Sequence, residues 1–356
     1  MARFLSLVAI LLLAACGSGG AGVSPASGQD APASGPASAK ASGGALNIAY
    51  VAPADSFLWE NVAFKQGLFP KYGVSVNEPV FVGGTPRLGQ ALVGGSFEMA
   101  GVGFAAATEA DAAGADLEAV AAVSRYSGFA LLLPPGSPIK DPKQLKDKTI
   151  VLSQIGDTAD GFLTALLEKN GLNRNSDVKV VQAGSTSNAR AALFAKQADA
   201  ASVGNAEAFV GEATGGSILA NSRQLGQLQP QGSVLVRKSW AESHRPQVLG
   251  VVKAMIAANA LYRSSQDQAI KLLQDSGWFK DVSVDVLKLI YKDDIENWTE
   301  LPLVDEESVK AVVQLEAARN PAVGKVNPGS LYDNSYVQEL VKDGFVKSVM
   351  PDFKGA

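Results

Sequence analysis

The sequence predicts an α/β protein with two similar lobes joined by a two-strand hinge. From Leu46 onwards, segments with the pattern of buried strands alternate with helical segments, which predicts right-handed crossovers and a mostly parallel sheet. A second observation is an internal repeat. Residues 83–104 have the pattern of a capped helix, a glycine turn, a short buried strand and a second turn into a helix, and this order returns in residues 184–205. One constant shift along the chain aligns the two copies, which indicates a duplicated lobe.

The hydrophobic periodicity predicts each element of the two lobes in turn. In lobe one, the predicted strands are residues 46–51, 74–82, 97–102 and 117–123, and the predicted helices are residues 59–67, 86–94 and 104–113. In lobe two, the predicted strands are residues 148–153, 177–182 and 198–203, and the predicted helices are residues 158–170, 186–196 and 206–214. Gly171 follows the first of these helices and is expected to end it as a C-cap.

Two apolar extended stretches, residues 128–133 and 233–236, are predicted to carry the chain out to lobe two and back. Beyond the second stretch the pattern is helical, in residues 246–262, 267–275, 284–291, 306–319 and 335–342. Because these helices have no strand pattern of their own, we expect them to form an extension that packs on lobe one. The folded body therefore divides into residues 45–127 and 233–356 for lobe one and residues 128–232 for lobe two.

The N-terminal residues have the pattern of an export signal. Residues 1–16 contain a basic residue, an apolar run too short for an ordinary spanning helix, and small residues before Cys16. The sequence Leu-Ala-Ala-Cys that ends at Cys16 resembles a bacterial lipobox, in which cleavage leaves a lipid-modified N-terminal cysteine. The alternatives are an unlipidated signal peptide or a buried core cysteine. Residues 17–44 are nearly all Gly, Ala, Ser and Pro, so they predict a flexible tether between a lipid anchor and the folded body.

The composition argues against several classes of protein. The 356 residues are 47% hydrophobic with a formal net charge of −4, so no basic surface for nucleic acid is expected. One Cys and one His, His244, exclude an intrachain disulfide framework and a Cys/His zinc site. No Gly-x-Ser-x-Gly elbow and no Walker phosphate loop is present, and residues 101–106 match a dinucleotide motif only in part. We therefore expect neither catalysis nor a cofactor or metal.

Several segments resemble a known family in their order and spacing. They are residues 67–76 (Gly-Leu-Phe-Pro-Lys-Tyr-Gly-Val-Ser-Val), 83–85, 91–100, 137–150, 196–200 and 331–337. They resemble the solute-binding proteins of ABC importers, the branch that includes nitrate, taurine, alkanesulfonate and thiamine-pyrimidine-precursor binders. The resemblance covers nearly everything from Leu46 onwards and implies a type 2 periplasmic binding protein fold with two Rossmann-like lobes. Residues 203–207 (Val-Gly-Asn-Ala-Glu) depart from the family, which often has an acidic or Trp/Pro loop there, so the ligand class stays open.

The candidate ligand-binding residues lie where predicted strands end, because ligands of open α/β sheets bind beyond the carboxyl ends of the strands. They are Phe57, Trp59, Gly84, Thr85, Phe104, Tyr126, Asp157, Thr158, Ser185 and Asn205. The Gly-Ser/Thr turns among them expose backbone N–H groups at helix N-termini, which favours an anionic head group such as a carboxylate or sulfonate. Plain helix capping is the alternative role. The aromatic residues could stack on a planar ligand or simply pack inside a lobe, and Trp59 and Phe104 are the preferred candidates.

The charged residues near these turns leave the ligand charge open. Arg87 and Arg125 could pair with an anion or lie on a solvated face. Asp157 and Glu207 could instead receive a cationic amine, which would reverse the expected charge.

These observations predict a monomeric, lipid-anchored receptor in the periplasm or on the outer face of the cell membrane. We expect it to capture a small anionic or aromatic solute by hinge closure and to deliver it to a membrane permease. One alternative is an enzyme of the same fold that resembles the pyrimidine synthases of thiamine biosynthesis, which rely on a His-rich site with pyridoxal phosphate. Another alternative is a tethered sensor or docking lipoprotein that binds a partner protein.

Overall fold

The computed structural model describes residues 44–354. The predicted signal peptide with Cys16, and the predicted tether up to residue 43, lie outside the described residues. The strands are β1 (Ile48–Tyr50), β2 (Val80–Phe81), β3 (Met99–Val102), β4 (Leu117–Ala121), β5 (Ser124–Tyr126), β6 (Phe129–Leu133), β7 (Thr149–Leu152), β8 (Lys179–Gln182), β9 (Ala200–Gly204), β10 (Ser217–Asn221), β11 (Leu228–Gln231) and β12 (Ser233–Arg237).

The helices alternate with these strands and then dominate the C-terminal third of the chain. They are α1 (Leu58–Lys65), α2 (Leu68–Lys71), α3 (Thr85–Val93), α4 (Ala105–Ala112), α5 (Thr158–Lys169), α6 (Thr186–Phe194), α7 (Asn205–Ala213), α8 (Ser222–Leu225), α9 (Lys238–Ser243), α10 (Arg245–Arg263), α11 (Gln266–Asp275), α12 (Val284–Asn297), α13 (Glu306–Arg319), α14 (Ser335–Lys342) and α15 (Phe345–Val349). Short 3-10 turns occur at Asp55–Phe57, Pro142–Leu145, Val323–Lys325 and Pro328–Ser330. None of the helices within residues 44–354 combines the length and the apolar character that crossing a membrane requires.

The strands form two five-stranded sheets with the same topology. The first sheet has the order β2-β1-β3-β12-β4, in which β1, β2 and β3 are parallel and β12 runs antiparallel to its neighbours β3 and β4. The second sheet has the order β10-β6-β9-β7-β8, in which β7, β8 and β9 are parallel and β6 and β10 complete it in antiparallel pairs. In the first sheet, β12 lies between β3 and β4, and in the second sheet, β6 lies between β9 and β10; both strands directly follow a segment that crosses between the lobes.

The structure confirms two similar α/β lobes. Helix Thr85–Val93 of lobe one corresponds to helix Thr186–Phe194 of lobe two, and the same shift along the chain takes Met99 to Ala200 at the start of the third strand. Strands β1, β3 and β4 are buried along their whole length, as expected for a parallel sheet covered on both faces.

The lobes are joined by a separate two-stranded sheet, and this differs from the prediction in detail. Strand β5 pairs with β11 in an antiparallel ladder, with Tyr126 opposite Leu228 and Ser124 opposite Gln231. The stretches predicted to cross, residues 128–133 and 233–236, are instead the interior strands β6 and β12 of the two sheets. Their apolar side chains explain the difference, because such strands are buried in a sheet while the crossing itself is made by the shorter, more polar segments beside them.

The C-terminal helices complete lobe one. Helix α10 packs against α1 and α2, and its buried residues Met255 and Tyr262 join the same hydrophobic core as Trp59. Gly250 permits this close packing, since a Cβ there would lie 2.2 Å from Val74 Cγ2. Helix α13 adds Val309 and its neighbours to the second core of lobe one. Two helices of this extension also touch lobe two: α12 packs against α7, and α13 against α5.

Candidate functional site

A cavity of about 90 Å³ lies between the two sheets, next to the hinge. Its walls come from both lobes, from the hinge and from helix α12. They consist of Val51, Ala52, Ala54, Asp55, Ser56, Phe57, Gly84, Thr85, Gly103, Ser124, Tyr126, Gly128, Phe129, Ser153, Asp157, Thr158, Gly184, Ser185, Thr186, Gly204, Asn205, Ser222, Gln231, Asp293, Asp294, Asn297 and Trp298. The cavity is therefore complete only when both lobes, the hinge and helix α12 are in contact with one another.

The two lobes are in contact across the cleft, so the structure is a closed form. The side chain of Gln154 from lobe two lies on the backbone of Gly84 from lobe one, and a Cβ at Gly84 would sit 1.5 Å from Gln154 Oε1. Gly84 also has a φ of +85°, which favours glycine. A Cβ at Gly103 would lie 2.7 Å from Thr158 Oγ1, across the same cleft. Glycines at these positions let the lobes approach closely.

The ten ligand-binding residues predicted from the sequence fall into two groups. Eight of them line the cavity: Phe57, Gly84, Thr85, Tyr126, Asp157, Thr158, Ser185 and Asn205. Trp59 and Phe104 do not line it, although they were the preferred aromatic candidates. Trp59 is 1% exposed and packs edge-on against Trp298 with 5.8 Å between ring centroids. Phe104 is fully buried with Leu88 and Leu92 in the core of lobe one.

The charged residues discussed from the sequence lie outside the cavity except for Asp157. Arg125 pairs with Glu307 at 2.7 Å and with Asp305 at 3.4 Å. Glu207 pairs with Arg190 at 2.6 Å. Arg87 is absent from the lining, and no Lys or Arg of the part of the chain that the structure describes contributes to it.

Four carboxyl groups line the cavity: Asp55, Asp157, Asp293 and Asp294. Burial, and then the negative charge of Asp293, raises the pKa of Asp55 to about 7. Burial likewise raises the pKa of Asp157 to about 6, although the Ser153 hydroxyl donates to this carboxylate and opposes the shift. The pKa of Asp294 is raised well above its ordinary value by burial and then by the charge of Asp55. Burial also raises the pKa of Asp293.

Three of these carboxyl groups were missed at the level of the sequence, together with Trp298. Asp55 lies in the loop after β1, which the strand-end rule already marked, and that signal could have identified it. Asp293 and Asp294 lie on α12, beyond Tyr291, where the predicted helix ended. Helix α12 reaches the cavity because it packs against α7 and β5. No local pattern reports this long-range contact.

The aromatic part of the wall is formed by Phe57, Tyr126, Phe129 and Trp298. Phe57, Phe129 and Trp298 are at most 9% exposed, so the cavity offers enclosed apolar faces next to its carboxyl groups.

The family model described as "NMT1/THI5 like" matches residues 59–263, which is more than half of the chain. The chain belongs to this family. Solved structures agree with the assignment. The NMT1/THI5-like chain is similar to the alkanesulfonate-binding protein SsuA from Xanthomonas axonopodis pv. citri bound to MOPS, with 23% identity, a TM-score of 0.66, and 81% of this chain and 96% of that chain covered. No curated protein matches it significantly.

Two further structures show how widely this fold is used. The periplasmic aliphatic sulphonate binding protein SsuA from Escherichia coli is 25% identical, with a TM-score of 0.63, over 81% of this chain and 91% of that one. The desulfurization enzyme DSZB is 14% identical, with a TM-score of 0.60, over 83% of this chain and 99% of that one. The fold of the NMT1/THI5-like chain is that of type 2 periplasmic binding proteins, as the sequence predicted.

The N-termini of four helices reach the cavity of the NMT1/THI5-like chain, and two of them are already capped by side chains. Asp157 accepts from the backbone N–H of Asp160 at the start of α5, and Ser185 accepts from that of Asn188 at the start of α6. Helices α3 and α7 begin after Gly84 and Gly204, which provide no side-chain cap. The first turns of α3 and α7 therefore have no side-chain acceptor, although Pro86 of α3 has no N–H and the N–H of Asn205 in α7 donates to the Gly128 carbonyl oxygen at 2.9 Å. The N-terminus of α5, in contrast, already faces a carboxylate.

Proposed function

We propose that this NMT1/THI5-like chain is the solute-binding component of an ABC import system, which captures a small molecule between its lobes and delivers it to a membrane permease. One observation carries this proposal: the cavity is lined jointly by lobe one, lobe two, the hinge and α12. Such a site holds its ligand fully only when the lobes close, so ligand binding would shift the equilibrium between open and closed forms. The sulfonate-binding relatives support the same role.

The closed form is stabilised by polar contacts that hinge opening would break. Asn205 Nδ2 of lobe two donates to Asp293 Oδ2 of α12 at 2.9 Å, and Arg223 Nη1 lies 2.9 Å from Glu296 Oε2. Both pairs join α12 to lobe two. Recognition of the solute and recognition of the closed shape by a permease would thus depend on the same relative placement of α12 and lobe two.

The proposal includes export and anchoring. The lipobox-like sequence that ends at Cys16 supports a lipid-modified N-terminus, and residues 17–44 would give the folded body reach above the membrane. The protein would then work in the periplasm or on the outer face of the cell membrane, where a permease can receive the solute.

The deciding experiment is a thermal-shift screen of the purified protein against sulfonates, nitrate, aromatic carboxylates, amines and pyrimidines, followed by calorimetry on each hit. Small-angle X-ray scattering with and without a hit would report closure as a decrease in the radius of gyration. Since DSZB shows that this fold also serves an enzyme, the bound solute is recovered and analysed by mass spectrometry. We expect saturable binding, closure and an unchanged solute. A panel in which no compound raises the melting temperature would contradict the receptor function, and a chemically altered solute would favour an enzyme.

A further inference from the structure

The cavity wall is rich in hydrogen-bond acceptors that lack donors. Asp294 is 1% exposed and lines the cavity; Tyr262 Oη donates to its Oδ2 at 2.6 Å, and no donor from residues 44–354 reaches its Oδ1. Asn205 and Asn297 both give their amide N–H groups to Asp293, at 2.9 and 2.8 Å, because an ionised carboxylate can only accept. Their own side-chain oxygens are then left buried without a partner.

The negative charge of the cavity wall also favours a ligand that is positively charged and donates hydrogen bonds. Asp55, Asp293 and Asp294 come from the loop after β1 and from α12, and each is close enough for its charge to influence another of the three. No Lys or Arg of the described residues lines the cavity beside them. Arg263 and Arg223 lie outside the lining, although each is close enough to lower the pKa of Asp294 and of Asp293, respectively. A bound molecule that supplied positive charge and N–H donors inside the cavity would therefore stabilise the closed protein.

We propose that the solute carries a protonated amine, which binds to Asp55, Asp293 and Asp294 while its apolar part lies against Trp298 and Phe57. This inference rests on the proposed solute-binding function and assigns the ligand a charge opposite to that of a simple sulfonate. The ammonium group would donate to the free oxygens of Asp55 and Asp294, and Asp293 would add charge while it stays held by the two asparagines. Charge-assisted hydrogen bonds of this kind are the stronger ones in proteins.

An organic cation fits the site better than a metal ion. Within the described residues, no group of three His, Cys, Asp or Glu side chains is arranged to hold a metal. Trp298 and Phe57 provide apolar faces next to the carboxyl groups, and such faces attract organic ammonium groups through cation–π contacts.

The uncapped helix N-termini are the main features that would favour an anion instead. Helices α3 and α7 have no side-chain cap, although Asn205 N–H donates to Gly128 and Pro86 has no N–H. A zwitterion with an amine at one end and an acidic group at the other therefore also fits the proposal. A solute with an acidic group and no amine does not fit, because it would leave the carboxylates of Asp55 and Asp294 without a positive charge inside the cavity.

The test uses sets of compounds matched in shape and different in charge. Benzylamine, benzyl alcohol and benzoate form one set, and butylamine, butanol and butanesulfonate another; a metabolite panel sorted into cations, zwitterions, neutral compounds and anions covers larger solutes. Thermal shift and calorimetry on the intact purified protein give the affinities at pH 8. We expect the hits to contain an amine, with neutral and anionic counterparts about tenfold or more weaker.

Single substitutions test which carboxyl groups bind the amine. Asp55→Asn and Asp294→Asn should weaken binding of the best amine about tenfold or more, without lowering the melting temperature of the ligand-free protein. Asp285→Asn on the same helix is the matched control, because Asp285 is exposed and pairs with Lys288 away from the cavity. A merely structural role of the two aspartates would lower the ligand-free melting temperature instead.

The possible outcomes separate this inference from the function on which it rests. If nitrate or an amine-free sulfonate binds and closes the protein, the receptor function stands and the amine proposal is overturned. Unchanged affinity for an amine in both aspartate variants also overturns it. If nothing in the whole panel binds, the receptor function and the amine proposal fail together.

Discussion

Arg319 on α13 lies 3.3 Å from Asp160 on α5, measured from Nη1 to Oδ2, and this ion pair joins the C-terminal extension to lobe two. Asp160 is 3% exposed on its side chain and also pairs with Arg174 of its own lobe at 2.8 Å. Arg319 pairs in addition with Glu316 one turn earlier on α13. The contact therefore acts as a latch on the closed form: opening the lobes would separate Arg319 from Asp160 without leaving either residue unpaired.

Replacing Arg319 with alanine should favour the open form. Arg319→Ala removes the latch while Arg174 still neutralises Asp160, but it also leaves Glu316, whose side chain is 2% exposed, without its partner. The variant is therefore made together with Glu316→Gln, which removes the unpaired buried charge, so that the fold is retained while closure is weakened. Solute affinity should fall about threefold, the value expected for a partly exposed ion pair. The radius of gyration of the ligand-free protein in solution should increase. Lys310→Ala, which breaks an exposed pair with Glu306 on the same helix, is the control and should change neither quantity.

Gly84→Ala should hinder closure, because the new methyl group would displace the Gln154 side chain of lobe two. The added Cβ would meet Gln154 Oε1 at 1.5 Å, and the φ of +85° adds backbone strain. Solute binding should weaken about tenfold, because Gln154 must be displaced from Gly84 before the lobes can close. Calorimetry measures the loss.

Two companion variants separate the steric effect from the strain. Gly114→Ala has a similar φ of +82° and nothing within 4 Å, so it should leave solute binding unchanged. Gln154→Ala combined with Gly84→Ala removes the obstructing side chain and should recover part of the affinity. Equal losses at Gly84 and Gly114 would contradict the steric explanation.

The repeat of the lobes could be predicted from the sequence because it leaves local signals. Glycine turns, helix starts and short apolar strands recur at a constant shift, and Thr85 and Thr186 mark corresponding helices in the structure. Most of the predicted cleft residues line the cavity for the same reason, since strand ends are defined locally. The predicted position of the hinge differs from the observed one by a few residues, because apolar patterns identify buried strands better than they identify the segments that cross between lobes.

The rest of the site depends on contacts that are distant in sequence. Asp293, Asp294 and Trp298 reach the cavity only because α12 folds back against the hinge, where Ser124 and Trp298 form an isolated bridge. The two tryptophans illustrate the limit. Trp59 follows a strand end, a position typical of ligand-binding residues. On α1, however, its side chain points into the core, and Trp298 is the tryptophan that lines the cavity. Sequence position cannot report which of two packed rings faces the cavity.

Glu60 is a buried charge whose removal should stabilise the protein. It is 1% exposed, neither of its carboxylate oxygens has a hydrogen-bond partner, and burial raises its pKa to about 8. Glu60→Gln removes the charge at nearly constant shape. The free energy of unfolding at pH 8 should increase by about 1–3 kcal/mol, measured by urea denaturation. Glu78→Gln at an exposed position is the control, and a less stable Glu60→Gln protein would contradict this account.

Cys16→Ser tests the predicted lipid anchor. If Cys16 carries acyl chains after export, its replacement should move the protein from the membrane fraction to the soluble fraction of cells that express it. Fractionation and immunoblotting measure the change, and metabolic labelling with a fatty acid should lose its signal in the variant. Ser18→Ala in the predicted tether is the control and should leave the protein in the membrane fraction. Equal membrane association of the Cys16→Ser variant and the natural protein would contradict the lipidation.

The raised pKa of Asp55 predicts opposite effects of pH on stability and on amine binding. An unfolded aspartate has a pKa near 4, whereas burial and the charges of Asp293 and Glu207 raise the folded pKa of Asp55 to about 7. Between these values the folded protein binds more protons, so its stability without ligand should fall as pH rises from about 4 to 7. Asp55→Asn should flatten this dependence, as measured by melting temperature against pH.

Amine affinity should follow the reverse course. The ammonium group needs an ionised Asp55, so affinity should increase as pH rises through about 7 and then level off while the amine stays protonated. Calorimetry at pH 5.5, 7 and 8.5 measures the amine affinity, whose pH dependence is then compared with that of the melting temperature. The Asp285→Asn variant should behave like the natural protein. Affinity that is constant across this range, or that decreases as pH rises, would show that Asp55 does not supply the charge to which the amine binds.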